Sequence, residues 1–467
     1  MLPVTRYRPQ RFVRLPDRAR RAISGSGPPT APIGLRSQPS RVDDLTAHAA
    51  LGLALRIGES MLAVGASAAD VTATVLRVAA AHGLTACQVD VTFTSLTISY
   101  DRDDALPLTV MRIVHTRGMD YTRLQGVTDL AREVGAGDLD LEEAHRRLDR
   151  VVAAPHPYRR RIHALGWSGV AGAVGFLLGG GWLVALVAAL TTASIEQVMR
   201  ALDRRGLPLF FQQAVGAAVA TGVAVLLVVF DVGVRSSLVV AAGIVVLLAG
   251  LSLVGAAEDA ISGFPVTAAA RAFEVLTLTA GIVVGIAGVL DLAQRAGVPL
   301  ALVDPSHADV PSAVALAAAA GIAGFWALAS YARPRGVAVA TAAGALSWAV
   351  SSAAGSLGAG PAVASAAGAL LVGFCGEALT GRLRIPPLLV AVCGIVPLLP
   401  GLAIYQGLFA IVVDADVPGG LDALVGAAAI GLGLAAGVTL GEHLGRPLSR
   451  EHDRFDRRVR LRATTTD

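Results

Sequence analysis

The chain has 467 residues, of which 54% are hydrophobic and 16% charged, and its mean hydropathy is +0.62. Soluble domains carry roughly 25% charged residues, so the two or three soluble domains that length alone would predict are excluded for most of it. The net charge of +4 is carried by 39 arginines against 35 acids, with no lysine, and calls for no nucleic-acid partner.

Charge is distributed unevenly. Ten arginines and fourteen acids fall between Ile162 and Gly445, giving a polar front, a long apolar middle and a short polar tail. Residues 1–42 begin the front. They are rich in Arg, with Asp17 the one acid before Val42, and lack an apolar h-region. They read as a disordered basic tail rather than a signal peptide, either merely solvated or drawn to anionic headgroups.

Residues 43–160 read as a cytoplasmic α+β domain. Asp43 and Asp44 cap a helix to about Gly65, with Leu51, Leu55, Gly58 and Leu62 at helical spacing. Ser67 to Asp70 is a capping box opening a helix that buries Val71, Val75 and Val78 and stops at His82-Gly83. Val89, Val91 and Phe93 then alternate with polar residues, and Leu96, Ile98 and Tyr100 follow on the opposite parity. This predicts a strand with a bulge near Ser95, hairpinned with a second strand over Leu108–Val114. Two helices follow, near Asp120–Val134 and Asp140–Val152. The domain carries no P-loop, GxSxG, HExxH or metal-ligand spacing, and its histidines are scattered. Cys87, Cys375 and Cys393 form no CxxC pair and read as small core residues. No enzyme, metal or cofactor is indicated.

A spanning helix needs about 20 apolar residues. The middle divides into ten segments near 162–180, 182–200, 209–230, 236–256, 267–290, 311–331, 337–354, 359–380, 386–412 and 421–443, with Gly179 to Gly181 as the first tight turn. With ten spans, Arg159 to Arg161, Arg200, Arg204, Arg205, Arg271, Arg333, Arg335, Arg382, Arg384 and Arg446 fall on one side. By the positive-inside rule that side, with both termini, is cytoplasmic. The loop around Gln294–Val310 separates two sets of five, 161–295 and 309–445, with a polar tail at 446–467. An odd number per set inverts the second set, a recurring transporter plan. Gly433, Gly437 and Gly441, and the pairs Gly175/Gly179 and Gly281/Gly285, mark close helix packing.

Two stretches break the apolar pattern. Glu258 and Asp259 precede Gly263, Pro265 and Arg271. Pro397, Pro400 and Gly401, followed by Tyr405, remove donors and permit a turn inside a span. Interrupted backbone in a membrane must be buried in protein or line a cavity, and half-helix ends suit the carboxylate and ammonium of an amino acid. The bland alternative is a proline-kinked packing helix. Glu196 and Glu377 lie late in spans two and eight. They mark a substrate or ion path, or snorkel to water. Tyr405 is either a substrate donor or an interfacial anchor.

At these residues the chain resembles the threonine/serine exporter family. The likeness runs from about Asp43 to Gly445. It rests on Gly65 to Asp70, Val89 to Thr94, Arg112 with Asp120-Tyr121, Glu258 to Arg271, and Pro397-Leu-Leu-Pro-Gly-Leu-Ala-Ile-Tyr405. The resemblance implies a secondary exporter of threonine and serine driven by the proton-motive force, with ten spans in two five-helix halves. Related systems with separate halves export organic acids such as succinate. The expected mechanism is alternating access, with substrate near Pro397–Gly401 and a proton carried by Asp259, Glu196 or Glu377. The expected partners are a small amino acid, protons and the lipid bilayer of the cytoplasmic membrane, with a homo-oligomer left open. The rivals are an organic-acid exporter and a membrane-anchored sensor with a ligand-binding cytoplasmic domain.

Overall fold

Hydrophobic periodicity builds the N-terminal helices as read and Ser67 caps as expected, whereas Asp43 heads its helix without a side-chain cap bond. This computed structural model describes residues 43–102, 105–115, 118–298, 310–383 and 385–448. The basic tail at 1–42, most of the loop between the two sets of spans, and the polar tail beyond 448 lie outside the described residues. Helices α1 (Asp44–Ala63) and α2 (Ala68–Ala81) pack together, burying Leu51, Leu55, Leu62, Val71, Val75 and Val78. The Ser67 hydroxyl caps α2 by accepting the Asp70 N–H at 3.2 Å.

The strands differ from the expectation. β1 (Cys87–Thr92), β2 (Ser95–Arg102) and β3 (Ala105–Ile113) form an antiparallel sheet in that order. The parity switch at Ser95 is a two-residue hairpin turn, with Thr92 opposite Ser95 and Phe93 at φ 49°. A reversal of chain direction and a bulge both flip the inward face, so alternation alone did not separate them. Helices α3 (Tyr121–Ala136) and α4 (Leu141–Ala153) complete this layer. Arg56 of α1 pairs with Asp149 of α4.

The apolar middle is a helical bundle. Its helices are α5 (Arg160–Leu177), α6 (Trp182–Asp203), α7 (Leu209–Val229), α8 (Ser236–Ile244), α9 (Gly250–Ile261) and α10 (Pro265–Arg295). After the loop come α11 (Ser312–Ala329), α12 (Pro334–Ser356), α13 (Pro361–Leu383), α14 (Pro387–Ile395), α15 (Gly401–Val412) and α16 (Val417–Gly445). Among the described residues seven helices are long and apolar enough to cross a membrane, or up to nine if each of two bent pairs is one span. Helix α5, which opens on Arg160 and Arg161, is not among them. The chain is a multi-pass membrane protein.

The bundle repeats itself. The starts of α5 and α11, α6 and α12, α7 and α13, α8 and α14, and α10 and α16 stand 152, 152, 152, 151 and 152 positions apart. The bent pairs match in detail: α8 with α9 turns by 46° and α14 with α15 by 45°. At the bends Leu248 (φ −71°, ψ 132°) mirrors Leu399 (−63°, 134°), and Ala249 (−83°, 32°) mirrors Pro400 (−81°, 25°). The two bends touch. A Cβ on Gly250 would lie 3.3 Å from the Gly401 Cα, and one on Gly401 would lie 3.0 Å from the Leu248 Cβ.

Glycine also sets close helix contacts. On α16, a Cβ at Gly433, Gly437 or Gly441 would meet the Ala362, Ala366 or Leu370 carbonyl of α13 at 2.5, 2.4 or 2.2 Å. Gly281 and Gly285 of α10 stand likewise against Phe210 and Ala214 of α7. Backbones approach this closely because lipid offers no hydrophobic drive for helix association, so contact area must supply it.

Candidate functional site

The N-terminal layer is fastened to the bundle by polar groups at the α9–α10 turn. Asp259, fully buried on α9, pairs through Oδ2 with Arg271 Nε of α10 at 3.1 Å, and its Oδ1 accepts the Ala68 N–H of α2 at 3.1 Å. The carboxylate thereby serves both a cation and a helix N-terminus. The neighbouring Glu258 is hydrogen-bonded to the Ser67 side chain. The Thr267 hydroxyl of α10 donates to the Val91 carbonyl at 2.9 Å and accepts the Phe93 N–H at 3.1 Å, gripping the hairpin turn. A second attachment lies at the α11–α12 turn. There the Tyr121 N–H donates to the Ser330 carbonyl at 3.0 Å and the Thr122 hydroxyl donates to the Tyr331 carbonyl.

Between layer and bundle lies a cavity of about 340 Å³. The α1–α2 turn, Met119 and Tyr121 line one side. Ser252, Glu258, Arg271, Ile395 and Glu442 line the other. Ser252 lies just beyond the first bend and Ile395 just before the second, so the cavity reaches from the docked layer to both interruptions. Glu258 is within electrostatic reach of Asp70, Asp259 and Arg271, and Glu442 of Asp70, Glu258, Glu377 and Arg446. Tyr121 is 2% exposed and contacts Cys393 and Trp326. Burial, reinforced by Cys393, holds its phenol well above the usual value, so it is a neutral wall of the cavity. Among the described residues no three His, Cys, Asp or Glu side chains are grouped as metal ligands.

The structure brings Glu258, Asp259 and Arg271 together and sets the other expected residues apart from them. Pro397 lies in the turn Val396–Leu398, and Pro400 and Gly401 form the second bend. None of the three lines the cavity, which touches that bend at Ile395. Tyr405 is buried among Ile195, Leu247, Ile282 and Ile286, with its ring 5.6 Å from Phe409. Glu377 packs beneath Gly445 at the end of α16. Glu196 lines a separate cavity with His163 and Arg200. Sequence reasoning passed over Ser67, Asp70, Tyr121 and Glu442 as site residues. Glu442, an acid in a 29-residue apolar helix, was detectable by the same rule that flagged Glu196. Tyr121 and Ser67 lay in runs that carry the family likeness, and Ser67 was read as a cap, but nothing in the sequence placed either in a site.

Interrupted helices meeting at a polar cavity within a lipid-facing bundle are transporter architecture. Two profiles of the threonine/serine exporter family match the chain, over residues 52–293 and 313–444. A Mycobacterium tuberculosis protein named "Probable threonine/serine exporter" is 41% identical over 440 residues, covering 91% of this chain and 82% of the relative. The Corynebacterium glutamicum "Threonine/serine exporter" is 38% identical over 422 residues, covering 87% and 85%. No solved structure matches. The chain belongs to the threonine/serine exporter family, a family of transporters rather than enzymes.

Proposed function

We propose that the chain exports threonine and serine across the cytoplasmic membrane as a secondary transporter driven by the proton-motive force. Helix α5 counts as a tenth span, so that two five-helix halves of opposite sense rock against each other. The termini and the α+β domain of residues 43–160 face the cytoplasm. The observation that carries this reading is the contact of two matched bends beside a cavity holding Glu258 and Glu442. The cavity volume lies in the range of small-molecule sites, roughly 300–1,000 Å³.

Each group has a role in this scheme. The first turn of α9 offers unpaired N–H groups to a substrate carboxylate. Glu258 and Glu442 face the substrate ammonium, and with Asp70 they form a place where one proton is taken up and released per cycle. Asp259, tied to Arg271 and Ala68, is the latch holding the cytoplasmic domain. Glu258 thus takes the proton-carrying role that the sequence offered to Asp259, Glu196 or Glu377.

The test is efflux of labelled threonine from proteoliposomes holding the full chain, with and without a pH gradient. Acceleration by the gradient in wild type, lost in Glu258→Gln, is the expected result. Efflux indifferent to the gradient would remove proton coupling. Movement of labelled succinate in place of threonine would overturn the substrate.

A further inference from the structure

A second cavity, of about 390 Å³, lies between α5, α6 and α7 against the turn Val245–Leu247 before the first bend. The transport scheme does not use it. Three side chains that line it carry a buried oxygen with no hydrogen-bond partner among the described residues: Thr192 Oγ1, Glu196 Oε2 and Gln213 Oε1. Thr192 is 1% exposed and Gln213 8%. Buried acceptors are ordinarily satisfied, so three together call for a donor.

Among the described residues no group supplies that donor. The His163 Nδ1–H donates to the Ala329 carbonyl at 2.6 Å, while its Nε2 accepts the Trp167 indole N–H at 3.2 Å. With Nε2 accepting from Trp167, the ring turns no N–H toward Glu196, 3.6 Å away. Arg200 reaches Glu196 Oε1 at 3.5 Å and spends its Nε on the Glu196 carbonyl.

The repeat shows that the fold does not need this polar set. At the 152-residue spacing of the matching helices, His163, Trp167, Thr192, Glu196 and Gln213 fall on Ala315, Ala319, Gly344, Trp348 and Ser365. The second set of helices builds the same scaffold from small and apolar side chains. Groups kept in one copy and absent from the other serve something other than the scaffold.

We infer that this cavity is a second binding site, for the zwitterion of an α-amino acid. Its charged lining residues are Arg160 and Arg200 against Glu196 and Asp203, balanced overall, as a neutral dipolar ligand requires. The three acceptors match the three N–H donors of an ammonium, and the two arginines receive the carboxylate. The inference does not depend on which solute the first cavity moves.

Trp167 lines this cavity and reports on it. The full chain, purified in detergent, is titrated with glycine and with L-threonine while tryptophan emission is followed. A saturable change is expected that vanishes in Trp167→Phe and persists in Glu258→Gln. Glu196→Gln and Gln213→Leu should each weaken it by about tenfold or more. Emission that stays flat, or a response unaltered in both of those variants, overturns the inference, as does its reproduction by sodium chloride alone. Threonine transport with a silent Trp167 overturns this site and leaves the proposed function standing. A Trp167 response without transport does the reverse.

Discussion

Asp259 and Ala68, 191 positions apart, meet at 3.1 Å, and through that one bond a carboxylate buried in the bundle holds the first turn of a helix outside it. The same carboxylate holds Arg271, whose side chain is 12% exposed. Removing one member of a buried pair strands the other, at a cost of about 3–5 kcal/mol. Asp259→Ala should therefore unfold at markedly lower temperature in detergent and expose the N-terminal layer to protease. Asp259→Leu combined with Arg271→Met should recover much of the loss. A melting temperature unchanged in the single variant would show that the latch carries no stability.

The glycine face of α16 makes a contrasting prediction within one helix. A Cβ at Gly441 would lie 2.2 Å from the Leu370 carbonyl, whereas one at Gly426 would meet nothing within 4 Å. Gly441→Ala should destabilise by about 1–3 kcal/mol through overpacking. Gly426→Ala should be neutral or slightly stabilising, because alanine favours helix. Thermal unfolding of the two variants side by side decides it.

The bend at Pro400 lacks backbone donors that its twin at Ala249 retains. Pro397→Ala with Pro400→Ala restores two backbone N–H groups and removes the steric bar to a continuous helix. Efflux of threonine from cells preloaded with a threonine dipeptide should fall severalfold, at normal expression of the double variant. Undiminished efflux would detach the bend from transport.

Cys87 gives a pH prediction. Burial pushes its thiol up to about 12, so at pH 8 about one molecule in ten thousand carries the thiolate. Alkylation by iodoacetamide should be slow at pH 8 and rise with pH as the thiolate forms, because a raised value withholds the reactive form until alkaline conditions. Labelling of folded Cys87 as fast as a free thiol at pH 8 would contradict the burial.

Much of the fold was legible. Long apolar runs located the membrane helices, the Ser67 cap and the Val71, Val75 and Val78 stripe located α2, and two prolines located the second bend. The first bend was hidden. Val245 to Val254 is apolar apart from Ser252, with no proline. Gly250 there sits against Gly401, a contact that no local pattern announces. The site was legible where acids interrupted apolar sequence, as at Glu258, Asp259 and Arg271. It was hidden where a group came from the distant layer, as with Tyr121 and Ser67. Spacing along a chain carries no information about which surfaces dock.

The contact between Gly250 and Gly401 leaves less clearance than one methyl group. An elbow that moved toward its twin would press on backbone at once, not on a pliable side-chain end. In the proposed rocking of the two halves, these elbows would share one bearing surface, where neither can advance without displacing the other.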